Sequence, residues 1–343
     1  MPDTSARHGL PCDCSRRGFL GHALGCGAYV MASLALASVP ERRAFAADRA
    51  DAAVLTAPFA RIEKVAEGAW AVISTPFGPD GGRGDRTTLA NGGIVAGRDG
   101  VLVVEGFYTP EGAAWLSRAA ESLTGRRPTH AVVTHYHADH VAGLTGYIRD
   151  GKGPEIVATG RTKELLAERV AAPEGDAKNG LRAAAGRVAL PTLVLEGDGP
   201  VEIDLGGRTV RLVPASGHTD SDLRVELVEP RVVWAGDLVW QGIFPNYVDA
   251  VPSRWAASAA AALAEEKAAV VPGHGGTGTG ASLRPFLDLM GAVEEAARTA
   301  HKAGRPADAA AAEFRLPERL GAWTLFNPRF HGTAFAAWYR ELG

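Results

Sequence analysis

The chain has 343 residues, 46% of them hydrophobic and 22% charged. That is the composition of a folded globular protein, and it excludes a disordered or fibrous chain. Its 36 basic and 39 acidic side chains leave a formal charge of −3, which argues against nucleic acid or an anionic membrane surface as the main partner. The 3 cysteines, Cys12, Cys14 and Cys26, all lie near the N-terminus and cannot form a disulfide framework.

Residues 1–46 read as an address label. Ser15-Arg16-Arg17-Gly18-Phe19-Leu20 leads into a mildly apolar stretch from Gly21 to Val39, and Ala44-Phe45-Ala46 offers small residues for a cut. The paired arginines followed by Phe19-Leu20 resemble a twin-arginine export signal. That implies a periplasmic or secreted protein, handled by the twin-arginine export machinery and left without a stable membrane anchor after cleavage. Cleavage after Ala46 removes every cysteine, which excludes thiolate catalysis and thiolate metal ligands from the mature chain. Ala47 to Ala57 reads as a linker, and residues 58–343 as one catalytic domain.

Strand-like runs follow at Ala60–Val65, Ala69–Ser74, Gly92–Ala96 and Val101–Glu105, the last two joined by a turn at Arg98-Asp99-Gly100. Pro76 to Arg86, rich in glycine, reads equally as a mobile flap near the site and as a plain surface loop. Thr109 as N-cap and Pro110 at the first helical position predict a helix reaching Leu123. Ala131–Thr134 reads as a buried strand and Arg161–Val170 as a helix. The second half repeats this grammar. Hairpins are predicted over Val201–Val213 and Leu223–Ala235, a helix over Trp255–Glu265, a short strand at Ala269–Val271, and helices over Ser282–Ala303 and Phe335–Leu342. Each half gives strands covered by helices, so two strand layers between outer helices would bury both sheets.

The chemistry gathers where strands end. His135-Tyr136-His137-Ala138-Asp139-His140 follows the Ala131–Thr134 strand. His135 and His137, two apart, project to one side of an extended segment, and a tight turn brings Asp139 and His140 alongside. Gly217-His218, Gly236-Asp237 and Gly273-His274 each follow a later strand. Histidine and carboxylate at such converging loops are metal-ligand types. A single histidine at a strand end is usually a core or capping residue, but this many in one turn would each need a separate partner.

In this order, His135-x-His137-x-Asp139-His140, Gly217-His218, Gly236-Asp237 and Gly273-His274 resemble the metallo-β-lactamase superfamily, and the likeness extends to the strands at Asn91–Val95 and Val101–Glu105. The resemblance implies an α/β fold, a four-layer αβ/βα sandwich of two mixed β-sheets flanked by helices. It also implies two metal ions, zinc by ligand type, with iron or manganese also compatible. His135, His137 and His218 would hold the first, Asp139, His140 and His274 the second, and Asp237 would bridge them. Glu105-Gly106 departs from the family, which ends that strand in aspartate, and the change would touch a contact behind the ligands.

An aspartate bridge without cysteine is similar to the superfamily's thioester and lactone hydrolases. The implied function is an exported metallo-hydrolase that cleaves an ester, thioester or lactone of a small acyl substrate by a metal-bridging hydroxide, with Asp139 also orienting the attacking water. The alternatives are a β-lactam hydrolase, a periplasmic redox, sulfur-oxidation or quinoprotein-associated protein, and a pure binding module. Phe244, Asn246, Tyr247 and His331 stand as candidates for the pocket wall, with packing as the competing role. The aromatic run from Trp323 to Phe326 is expected to pack the last helix.

Overall fold

The computed structural model describes residues 53–75, 86–172 and 188–343. The export signal, most of the linker, the glycine-rich segment up to Asp85, and residues 173–187 lie outside them. No helix among the described residues is long and apolar enough to cross a membrane.

The first sheet has eight strands in the order β1 (Ala53–Ala57), β2 (Ala60–Ala66), β3 (Ala69–Ser74), β4 (Gly92–Ala96), β5 (Val101–Val104), β6 (His130–Val132), β7 (Glu155–Thr159) and β8 (Leu193–Leu195). The strands from β1 to β5 pair antiparallel, whereas β5 to β8 run parallel. The parallel part is crossed by helices α1 (Pro110–Thr124) and α3 (Gly160–Ala171), as parallel connections require. The second sheet has six strands: β9 (Val201–Asp204), β10 (Thr209–Pro214), β11 (Leu223–Leu227), β12 (Val232–Trp240), β13 (Ala269–His274) and β14 (Gly278–Thr279). Only β12 and β13 pair parallel there, and α4 (Pro252–Ala262) crosses between them. Helices α5 (Pro285–Lys302), α6 (Ala307–Glu313) and α7 (Phe330–Leu342) follow.

The period-2 alternation of the strands builds the layers. In β5, Val101 and Val103 face a cluster with Ala113, Leu116 and Ala120 of α1. Leu102 and Val104 face the other way, into a cluster shared with Val225, Leu227 and Trp234 of the second sheet. In β12, Val233 and Ala235 pack instead against Trp255 of α4, Leu289 and Val293 of α5 and Phe335 of α7. This is the four-layer sandwich with mixed sheets that the sequence implies. The close approach of the sheets needs Gly93, where a Cβ would stand 1.9 Å from the indole nitrogen of the buried Trp234.

The elements depart from expectation in a few places. Ala53–Ala57, read as part of a linker, is an edge strand paired with β2. Helix α4 starts at Pro252, earlier than Trp255, because proline suits a first helical turn. Helix α7 starts at Phe330, after Asn327 Oδ1 accepts the Arg329 N–H at 2.9 Å. The helix over Pro110–Thr124 is capped as expected, with Thr109 Oγ1 accepting from the Gly112 N–H and Gly125 closing the last turn in the left-handed region.

Candidate metal centre and its cleft

The seven side chains singled out from the sequence converge at one edge of the two sheets. His135 and His137 lie in extended chain after β6. His137 is the N-cap of a one-turn helix, α2 (Ala138–Val141), which carries Asp139 and His140. His218 lies in the loop after β10. That loop is tied by Asp222, which accepts the Thr219 N–H and, at 2.7 Å, the Thr219 hydroxyl. Asp237 and His274 are not past their strands but within them. β12 runs on to Trp240 because Leu238 and Val239 are buried, and His274 is the last residue of β13. Gly236, at φ +53°, interrupts the β12–β13 register and turns Asp237 toward the centre. Gly273 gives the carboxylate room, since a Cβ there would lie 2.0 Å from Asp237 Oδ1.

Two donor sets result, His135, His137, His218 and Asp237 in one and Asp139, His140 and His274 in the other, with the donor atoms of each within 4.8 Å of one another. Asp237 faces both. Its Oδ2 lies 3.1 Å from His218 Nε2 and 3.9 Å from His135 Nε2, while its Oδ1 lies 3.2 Å from His140 Nε2 and 3.3 Å from His274 Nε2. Asp139 Oδ2 is 3.4 Å from His274 Nε2. In the first set, His137 turns its Nδ1 to within 2.9 Å of His218 Nε2. His135 Nε2, His140 Nε2, His274 Nε2 and Asp237 Oδ1 are buried without hydrogen-bond partners. So many buried polar atoms without a hydrogen-bond partner in one spot are costly unless a cation takes them, and imidazole with carboxylate suits zinc. The residues therefore fit a pair of divalent ions.

Other contacts hold the imidazoles from behind. His137 Nε2 lies 2.9 Å from Asp249 Oδ2, and Arg169 Nη2 donates to the same oxygen at 3.3 Å. His140 Nδ1 lies 3.0 Å from Glu105 Oε1, which also accepts the Thr134 hydroxyl at 2.6 Å. Glu105 sits at φ +79°, a left-handed conformation that non-glycine residues hold only under constraint. The Tyr147 hydroxyl donates to its carbonyl, and its N–H bonds to Val132 O at 2.8 Å. Sequence reasoning flagged Glu105 as a departure without a partner and did not find Asp249 at all. Their signals lie 35 and 112 residues from the histidines they touch.

The electrostatics split the histidines. Burial pushes His218 down to about 3, against the pull of Asp237, and drives His135 well below its ordinary value. Burial also works against His140 and His274, but carboxylates win there. Glu105, Asp237 and Asp139 hold His140 well above its usual range, and Asp237 and Asp139 raise His274 to about 9. Burial would raise Asp139 and Asp237, but the neighbouring histidines keep both below the usual carboxylate range. At pH 7 the metal-free second set therefore carries protons on two imidazoles that must be neutral to bind a metal. Zinc uptake at pH 7 should release about two protons per chain, and the release should shrink as pH rises through about 9, where His274 is already neutral. Titrating zinc into weakly buffered metal-free protein with a pH indicator checks this, and uptake without acidification would contradict it.

A cleft open to solvent lies over the donors. Leu89, Trp240, Ile243, Asn246, Phe326 and Phe330 wall it. Of the sequence candidates, only Asn246 reaches it. Phe244 and Tyr247 are core residues, and His331 packs between Phe244 and Phe314. Phe326, expected to pack the last helix, stands at the mouth, 40% exposed.

Two mixed sheets between helices, with histidines and aspartates from both sheets meeting at one edge, define an αββα protein with a candidate metal centre. The profile of the metallo-β-lactamase superfamily matches residues 86–274, and the chain belongs to that superfamily. It is 26% identical over 206 residues to a metallo-β-lactamase type 2 of Bacillus sp. (strain 170), covering 59% of this chain and 72% of that one. It is 33% identical over 135 residues to an acyl-coenzyme A thioesterase of Homo sapiens, covering 36% of this chain and 46% of the relative. Among solved structures, a metallo-β-lactamase from Pontibacter korlensis superposes with a TM-score of 0.54 at 21% identity, covering 68% of this chain and 99% of that one, a likeness of fold.

Proposed function

We propose that the protein is an exported dinuclear metallo-hydrolase, with zinc as the metal, that cleaves an ester, thioester or lactone. The observation that carries this reading is Asp237, whose two carboxylate oxygens are divided between the two donor sets. Bound ions would supply a Lewis acid for the scissile carbonyl and a water acidic enough to act as nucleophile near neutral pH. Asp237 spaces the two sets and contributes negative charge to both. Asp139, kept ionised by His140 and His274, would orient the attacking water through its carboxylate. Asp249 and Glu105 fix which nitrogen of His137 and His140 faces the centre. The relative from Homo sapiens, a thioesterase, supports an acyl substrate with a sulfur leaving atom.

The similarity to type 2 metallo-β-lactamases favours a second reading, hydrolysis of a β-lactam. One assay separates the two. Zinc-loaded protein should turn over a simple aryl ester, thioester or lactone, and a chelator should stop it. A chromogenic cephalosporin should be slower by on the order of a hundredfold in kcat/KM. A cephalosporin cleaved faster than every acyl substrate would overturn the first reading.

The export reading rests on Arg16-Arg17 and Ala44-x-Ala46. Replacing both arginines with lysine should hold the precursor in the cytoplasm, and the exported wild-type chain should begin at Ala47. An uncut chain in the periplasmic fraction, seen by mass spectrometry, would contradict the cleavage.

A further inference from the structure

We propose that the cleft over the donor cluster selects an uncharged, apolar acyl group, alkyl or aryl, and rejects one that ends in a carboxylate. This deepens the hydrolase reading and rests on it. The donors form the floor of the cleft, so the wall decides which acyl groups fit. Among the described lining residues, none is a lysine or arginine. Leu89, Ile243, Phe330 and Phe326 present hydrocarbon, and Trp240 is locked as a flat wall. Its ring lies on His274 at 4.0 Å between centroids, and its indole N–H donates to the Asp237 carbonyl at 3.0 Å.

The polar groups nearby are already committed. Arg169, the guanidinium that approaches the centre, is paired with Asp249 and stacked on the Tyr136 ring at 4.5 Å. Among the described lining residues, Asn246 is the one polar side chain outside the donor sets. Its Oδ1 accepts from the Val248 N–H at 3.1 Å and the Thr333 hydroxyl at 3.3 Å. It thus offers a neutral amide N–H and no charge. A carboxylate at the far end of an acyl group would shed water against hydrocarbon with no lysine or arginine among the described lining residues to meet it, which is unfavourable. A neutral tail gains with each methylene it buries.

The test uses full-length mature protein loaded with zinc and two sets of probes. The first is a series of linear methyl ketones, which carry the acyl shape but cannot be hydrolysed, each matched by a keto acid whose tail ends in a carboxylate. Calorimetry should show affinity rising about fourfold per added methylene until the cleft is filled. Each keto acid should bind more weakly than its neutral match by on the order of 30-fold or more. Repeating the titrations on metal-free protein well above pH 9 separates wall from metal, because a carboxylate then meets neither an ion nor a protonated His274 at the cleft floor. Phe326→Ala should flatten the dependence on tail length. Phe326→Lys, at a position 40% exposed, should bring the keto acids level with the ketones or ahead of them. The second set is aryl hexanoate and the matching aryl monoester of adipic acid, assayed for turnover.

Ketones that bind in the expected order while neither ester turns over would overturn the hydrolase reading and leave the cleft assignment standing. Turnover of both esters at similar kcat/KM, with flat ketone affinities, would overturn the cleft assignment and leave the hydrolase standing. Keto acids that match the ketones on metal-free wild-type protein would also overturn it.

Discussion

Replacing Asp237 with alanine should lower kcat/KM for an ester or thioester by on the order of a thousandfold, about 4 kcal/mol in the barrier. The size of the effect follows from the position of the side chain. Its Oδ2 serves His218 and His135, and its Oδ1 serves His140 and His274. Removing it takes a carboxylate oxygen from each set and leaves His274 without its main counter-charge and His140 without one of its three. The metal content of the variant should fall from about two ions per chain, as read by elemental analysis after dialysis against zinc. Circular dichroism on the variant and on Asp237→Asn separates chemistry from folding. Wild-type turnover by a folded Asp237→Ala protein would refute the bridging role.

Glu105→Gln should weaken metal binding at the second set by about 10–100-fold, the usual cost of losing a partner that orients a ligating histidine. Glutamine keeps the size of the side chain but removes the charge 3.0 Å from His140 Nδ1. A carboxylate there favours the proton on Nδ1, which leaves Nε2 to face the donor set. Glu105 is also the foremost charge raising His140, so the variant should release fewer protons on zinc uptake at pH 7. Competition with a chelating indicator would show one tight and one weakened site. Two sites of unchanged affinity would show that Glu105 plays no part in holding the metal.

The donor cluster was legible because its chemistry is local. Four of the seven residues fall between His135 and His140, and the other three follow glycines at strand ends or bulges. The layer order was legible too, since the unbroken apolar runs Val101–Val104 and Val232–Ala235 mark strands buried on both faces. What escaped was either long-range or weakly patterned. Asp249 carries no motif, and only the tertiary fold brings it to His137. Ala53–Ala57 has too few large residues to advertise a strand, yet antiparallel pairing with Ala60–Glu63 makes it one. Gly236-Asp237 read as a turn after the strand, because sequence alone does not show that β12 resumes beyond a left-handed glycine. Phe326 and Phe330 look like packing residues, and Phe330 is buried at the cleft wall. An apolar side chain in the core and one in a binding wall have the same signature.

Neither sheet owns a complete donor set. His135, His137, Asp139 and His140 descend from the first sheet, and His218, Asp237 and His274 from the second. An ion bound to either set therefore acts as a rivet across the seam between the sheets. Sliding or parting of the two halves would break coordination wherever a metal is held. Metal release and separation of the sheets are thereby coupled, and each tightly held ion adds its binding free energy to the adhesion of the halves as free metal rises above its dissociation constant.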